Sequence, residues 1–263
     1  MAKTFYFDSA GLLEATINDG TFSGTSWSDA DSMTNELRLI DQSITTAVSD
    51  FNVNDALKIT FNSSSELDFL AVYFKASDTH NLALYREVAT NTFSSVVTLT
   101  PTFPIGWTIG EFTGSSATNW HLAALNGDID NLTEIIVGKK LEFEFNPDVG
   151  ISEVNDFGTT VNKSIGGIEY AVLNHEPKKR ISFSFNSISE TFKNNLQSFE
   201  ESVQNYKKFI YSENGITGPL HYVRLDKPIR FKEVSSQRFS VNISLVEQLS
   251  WFYFIIIILN FLP

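Results

Sequence analysis

Apolar and polar residues alternate strictly along Arg180-Ile181-Ser182-Phe183-Ser184-Phe185-Asn186, the period of two expected of a strand with one buried face. The period then changes. Ile188, Phe192, Leu196, Phe199, Val203 and Tyr206 recur at steps of three and four, which places them on one side of a helix. Ser187-Ile188-Ser189-Glu190 stands at the switch with the S-x-x-E spacing of a capping box. There a hydroxyl and a carboxylate can satisfy two of the amides left open at a helix start. The pattern predicts a strand running directly into an amphipathic helix of about five turns. Lys193, Asn194, Asn195, Glu200 and Glu201 form its polar side.

Short strand patterns separated by Gly, Asn, Asp and Ser clusters fill residues 1–142. The clearest are 36–41, 56–61, 67–74, 81–85, 95–99, 119–125 and 134–138, and strands at this spacing suggest an antiparallel sandwich. A second domain is expected over 143–250. Asn146-Pro147-Asp148 breaks the alternation of Leu141–Phe145, and residues 146–166 read as a long polar surface loop. A strand at 168–173 precedes the helix, and strands at 209–211, 220–225, 229–234 and 238–245 follow it. The last two form a hairpin across Ser235-Ser236-Gln237.

Two resemblances follow from these runs. Trp27-Ser28-Asp29-Ala30-Asp31, Leu39-Ile40-Asp41, Leu70-Ala71-Val72-Tyr73-Phe74, Trp120-His121-Leu122 and Leu132-Thr133-Glu134-Ile135-Ile136-Val137 resemble the galactose-binding-like jelly roll of discoidin and carbohydrate-binding modules. That resemblance implies glycan contact through loops at one end, here 24–35 and 104–120, with Trp27 and Trp107 stacking on a sugar and Asp29, Asp31 and Asn119 hydrogen-bonding to it. Lys179–Phe185, the helix, Tyr222–Asp226, Ile229–Val234 and Phe239–Leu245 resemble the minor and distal tail proteins of long-tailed bacteriophages. This second resemblance implies a tail-tube-like β-sandwich flanked by one helix, joining its neighbours in a ring. A hexamer is the symmetry it implies. The fold class expected is therefore mainly β, an N-terminal jelly roll followed by a tail-tube-like domain.

Composition narrows the chemistry. The chain has 263 residues, no cysteine and a net charge of −12. Disulfides, thiolate metal sites and cysteine nucleophiles are removed at once. The acidity argues against a specific nucleic-acid binder. Residues 1–142 hold 18 acidic and 7 basic side chains, and residues 143–250 hold 13 and 12, a shift that supports two domains. His80, His121, His175 and His221 show no metal-ligand spacing, and neither a nucleophile elbow nor a phosphate-binding glycine loop is present. No cofactor and no metal are expected.

The opening Met1-Ala2-Lys3-Thr4 has no signal-peptide character. Residues 251–263 are almost wholly apolar, yet shorter than the ~20 residues of a membrane helix. They are expected to bury against another subunit rather than to span a membrane.

The expectation is a non-enzymatic structural protein of a phage tail tip or baseplate, assembled in the host cytoplasm. Its expected partners are its own copies, other tail proteins and a host surface glycan. Subunit contacts are expected at the loop carrying Gly150, Gly158, Gly166 and Gly167, and at the tail carrying Trp251, Phe252 and Phe254. The alternatives are a free-standing carbohydrate-binding or adhesion protein and, behind it, a glycan hydrolase.

Overall fold

The computed structural model describes residues 3–18, 28–29, 36–44, 47–48, 51–53, 55–90, 92–100, 106–147, 151–164, 166–173 and 178–248. The mainly β expectation holds. The strands are β1 (Thr4–Phe7), β2 (Thr16–Asn18), β3 (Ser28–Asp29), β4 (Asp55–Phe74), β5 (Leu82–Ala89), β6 (Thr92–Leu99), β7 (Gly106–Ala124) and β8 (Leu132–Glu142). After them come β9 (Ser152–Asp156), β10 (Thr159–Lys163), β11 (Glu169–Leu173) and β12 (Lys178–Ser189). Helix α1 (Glu190–Val203) is followed by β13 (Phe209–Ser212), β14 (Leu220–Leu225), β15 (Arg230–Ser235) and β16 (Arg238–Glu247). The chain divides into two compact units. The first comprises Thr4–Leu141 and Ser212–Leu220; the second comprises Met1–Lys3, Glu142–Tyr211 and His221–Pro263.

The first unit is built on two long strands. β4 pairs with β7 from Ala56↔Ala123 to Phe74↔Gly106, with irregularities at Thr60/Ser65 and Leu67/Phe69. Leu57, Ile59, Phe61 and Leu67 face the core before the second irregularity; Leu70, Val72 and Phe74 face it afterwards. The bulge moves the inward phase by one residue, which keeps a bent strand on one core. β5 pairs only with the second part of β7, and β8 only with the second part of β4. Leu82 and Leu84 of β5 nonetheless share one buried cluster with Leu132, Ile135 and Val137 of β8. The two long strands therefore turn from one layer into the other, and the layers close over a common core. Trp120 fills its centre, fully buried, and its indole N–H donates to the Ala117 carbonyl at 3.1 Å.

Three expectations are corrected here. Glu36–Ile40 is a 3-10 helix rather than a strand. Residues 106–120, read as the larger part of a loop, belong to β7, and the Asn62-Ser63-Ser64-Ser65 stretch stays inside β4. Asn62, Ser63 and Ser64 side with solvent as a turn would, but pairing with β7 resumes at Ser65 and carries the strand through.

The second unit orders its strands β13-β14-β16-β12-β9, with β15 on the other part of β16. Ile181, Phe183 and Phe185 of β12 and Val241, Ile243 and Leu245 of β16 turn inward, each at most 3% exposed. Phe143 lies 5.5 Å from Phe183 and 5.4 Å from Phe185, ring centre to ring centre. Helix α1 buries Phe192, Leu196, Phe199 and Val203, the stripe predicted from spacing. It is shorter than predicted, 14 residues, so Ile188 remains in β12 and Tyr206 is exposed. The cap also shifts: the Ser189 hydroxyl, not that of Ser187, accepts from the Phe192 N–H at 3.1 Å. The Glu200 carboxylate accepts from the Ile229 N–H at 2.7 Å, tying the turn before β15 to the helix.

Within 146–166 the structure shows two strands in place of a continuous loop. β9 pairs with β12, and β10 pairs with β11 in a separate two-stranded sheet. Among the described residues no helix is long and apolar enough to cross a membrane.

Candidate functional site

The outward side of the layer β6-β5-β7-β4 carries a mixture of rings and polar groups. Register decides what meets there. Core residues Leu57, Ile59, Trp120, Leu122, Leu82 and Leu84 point inward, so their neighbours along each strand point out. Ala56 pairs with Ala123, Lys58 with His121, and Thr60 with Asn119. On the far side of β7, Tyr85 pairs with His121, and β6 adds Phe93 opposite Glu87. Ala56 and Ala123 are fully buried beneath half-buried Tyr85, Phe93 and Leu125. Small residues thus floor a patch whose sides are aromatic.

A hydrogen-bonded row crosses this patch. The Thr60 hydroxyl donates to Asn119 Oδ1 at 3.0 Å, and Asn119 Nδ2 donates to Glu87 Oε2 at 2.7 Å. His121 Nε2 lies 3.9 Å from the same Glu87 oxygen, and its ring meets Phe93 edge-on at 4.5 Å. His121 is 1% exposed. Burial holds its imidazole well below the usual value, at about 4; the Glu87 carboxylate pulls it up and Lys58 adds to the depression. Burial also raises the Tyr85 phenol. At neutral pH the patch therefore combines a buried neutral imidazole with a phenol, a phenyl ring, an amide, a hydroxyl, one carboxylate and the Lys58 ammonium. This is the equipment of a polar-ligand binding face rather than of a nucleophile with its base.

The other layer of the same unit carries a second polar cluster. Tyr6 Oη donates to Glu111 Oε1 at 2.6 Å, Lys140 Nζ donates to Glu111 Oε2 at 2.7 Å, and the Lys140 N–H donates to Asp68 Oδ1 at 2.8 Å. Burial pushes the Asp68 carboxyl up to about 6, against the pull of Lys140 and Lys139.

The residues singled out by sequence are dispersed. Asn119 lies inside the patch. Asp29 pairs through its backbone with Ala56 at the β4 edge of the same layer. Trp107 lies at the other end of β7, 7% exposed, with its ring edge-on to Tyr73 at 5.3 Å. Trp27 and Asp31 lie outside the described residues, as do Gly150, Trp251, Phe252 and Phe254. Gly158 takes a φ of 59° after β9, and Gly166 and Gly167, the latter at 81°, lie in the β10–β11 connection. Tyr85, Glu87, Phe93 and His121 were not singled out as a site. The alternation of Asn119, His121 and Ala123 placed three of the patch positions on one side of a strand. Nothing in the sequence showed which residues of β4 and β5 lie opposite.

No protein-family model matches the chain, and no curated protein does. Among solved structures it is similar to CBM32-1 from a family 31 glycoside hydrolase of Clostridium perfringens, at 9% identity, 50% of this chain, 100% of that chain and a TM-score of 0.37. It is also similar to chitosan-binding module 1 of a chitosanase/glucanase from Paenibacillus sp. IK-5, at 16% identity, 49% and 98% coverage and a TM-score of 0.37. A third is the CBM32 of AlyQ in complex with 4,5-unsaturated mannuronic acid, at 14% identity, 38% and 82% coverage and a TM-score of 0.34. At these values the chain is assigned to no family. The comparisons lend the phage-tail resemblance no support.

Proposed function

We propose that this chain is a non-catalytic carbohydrate-binding protein whose first unit contacts glycan through the outward side of β4, β7 and β5. The observation that carries this reading is the row Thr60–Asn119–Glu87 running beside Tyr85, Phe93 and His121. Rings offer an apolar face for a sugar's C–H side, and the amide and carboxylate offer directed hydrogen bonds to its hydroxyls. The test is a glycan array followed by titration calorimetry with the strongest hit. Phe93→Ala and Asn119→Ala should each weaken binding while the far-ultraviolet dichroism stays unchanged. Binding unaffected by both, but lost in Trp27→Ala or Trp107→Ala, would move the site to the loops that the sequence suggested. No glycan bound by the wild type would refute the reading.

A second reading, a virion protein of a phage tail tip forming a homo-oligomeric ring, rests on the sequence resemblance alone, and one observation is compatible with the subunit contacts it requires. The β10–β11 hairpin pairs with no other strand among the described residues, and Val161, Ile168, Tyr170 and Val172 on it are 43–71% exposed. A lone two-stranded hairpin with apolar side chains on both faces is marginal in water, so contact with another subunit would stabilise it. On this reading Gly158, Gly166 and Gly167 shape the contact and the tail 251–263 adds to it. Native mass spectrometry separates the readings. A ring dispersed by Val161→Ser with Tyr170→Ser supports assembly, whereas a monomer at all concentrations leaves only the carbohydrate-binding reading.

A further inference from the structure

The outward side of the second unit's sheet is also shaped. Two adjoining hollows, of about 690 Å³ and 310 Å³, share Ser184, Arg230 and Asn242 and together form one open groove over β12, β16 and β15. Alternation explains its polarity. Phe183, Phe185, Val241 and Ile243 turn into the core, and so Ser182, Ser184, Asn242 and Ser244 make the floor. On β15, Arg230 pairs with Asn242 and Lys232 with Ser240, which puts both cations on the groove side, about 7 Å apart along the strand. Lys227 stands at the turn leading into β15. Lys227, Arg230 and Lys232 form no ion pair among the described residues.

Asp156, Asp226 and Glu153, on the strands and turn around the floor, are engaged with other partners. Asp156 Oδ2 accepts from Arg180 at 2.9 Å, and Asp226 Oδ1 accepts from Arg180 at 2.7 Å. Asp226 Oδ2 also accepts from the Ser244 hydroxyl at 3.3 Å. Glu153 is paired with Lys179 at 2.8 Å. Three unpaired cations thus line one side of a floor made of hydroxyls and an amide, in a chain whose net charge is −12.

We propose that this groove binds an acidic oligosaccharide, its carboxylates held by Arg230 and Lys232 and its hydroxyls by Ser182, Ser184 and Asn242. A planar guanidinium on an exposed strand position suits a carboxylate held in bidentate fashion. The neutral hydrogen-bonding floor suits the sugar between charges. A single-stranded nucleic acid fits less well, because such sites stack bases on exposed rings, and the rings of Phe183 and Phe185 are buried on the opposite face. The site is separate from the first unit's patch and does not depend on it.

The test is calorimetric titration of the full chain with hexagalacturonate, with cellohexaose as the uncharged control and oligothymidylate as the nucleic-acid control. The wild type should bind hexagalacturonate saturably, more weakly as salt is raised, and cellohexaose little. The double variant Arg230→Ala with Lys232→Ala removes side chains at least partly in solvent and should keep its dichroism spectrum. It should bind at least about tenfold more weakly, since two charge-assisted contacts are lost. Phe93→Ala with Asn119→Ala should leave this binding unchanged. The proposal is overturned if the wild type does not bind, if the Arg230/Lys232 variant binds equally well, or if only the Phe93/Asn119 variant loses binding. Tighter binding of oligothymidylate, lost in the Arg230/Lys232 variant, would make the groove a nucleic-acid site instead.

Discussion

Acidification should weaken the first unit through His121, and the size of the effect follows from its surroundings. The imidazole is 1% exposed and titrates near 4 rather than at its ordinary 6.5, because burial disfavours the cation more than Glu87 at 3.9 Å favours it. A depressed base has a definite sign. The unfolded chain takes up the proton as pH falls below 6.5, whereas the folded chain resists until about 4. Stability from this group is therefore present above 6.5 and lost as pH falls through 4. A gap of two to three pH units, at about 1.4 kcal/mol each, is worth about 3 kcal/mol between pH 7.5 and 4.

Asp68 works against this in the same unit. Its carboxyl is raised to about 6, so its contribution is present below 3.8 and lost as pH rises through 6. The wild-type curve alone would blur the two, and the comparison that isolates His121 is with His121→Gln. Urea midpoints followed by tryptophan fluorescence report on the first unit through Trp120, with Trp251→Phe as background. The variant loses the Phe93 contact at every pH, so it should be less stable than the wild type at pH 7.5. By pH 4 the difference should have moved by about 3 kcal/mol in the variant's favour. Glu87→Gln should lower the imidazole further, read from its Cε1 proton by NMR. A difference between wild type and His121→Gln that stays constant from pH 7.5 to 4 would refute the reasoning.

Other outcomes follow from particular contacts. Gly138→Ala would place a Cβ 2.1 Å from the Phe7 carbonyl oxygen and 2.8 Å from the Ser9 nitrogen; because both are backbone, β1 must shift, and loss of cooperative unfolding in the first unit is expected. Leu196→Ala, at a fully buried site on α1, should cost about 2–5 kcal/mol, read as a lower urea midpoint by dichroism. Ser189→Ala, which removes the hydroxyl accepting from the Phe192 N–H, should cost about 0.5–2 kcal/mol, read in the same way. Asp68→Asn keeps an acceptor for the Lys140 N–H and should stabilise by about 1–2 kcal/mol at pH 7.5, less than the full shift because the group is partly solvated, with the gain vanishing at pH 3.5.

Some of this was legible from the chain alone. The alternation of Arg180–Asn186 and of Arg238–Leu245 survives as β12 and β16, because each of those strands has one buried face and one polar face. The stripe Phe192, Leu196, Phe199, Val203 survives for the same reason. Where local pattern failed, tertiary pairing overrode it. Asn62–Ser65 has turn composition, yet it lies between two paired segments of β4, and a bulge absorbs it without ending the strand. Glu36–Ile40 has strand composition but coils into a 3-10 turn. The patch was illegible because its members come from four strands, β4, β5, β6 and β7, spread from Lys58 to Ala123. Asn119 and His121 reveal their side of β7 by alternation, but that Thr60 and Glu87 complete the row, with Tyr85 beside it, depends on register.

That dependence bears on where function should be sought in both units. Binding residues are often placed on loops. The patch on β4, β7 and β5 and the groove on β12, β16 and β15 are instead carried by strand positions in the middle of paired ladders. A side chain such as Asn119, held by Thr60 on one side and Glu87 on the other, is already ordered before any ligand arrives. The ordering cost that a loop would incur on binding is then largely absent. Ser182 and Ser244, 3.3 Å apart across the groove floor, are positioned in the same way. Single substitutions at such positions should change affinity through the contact removed and leave the neighbouring frame in place.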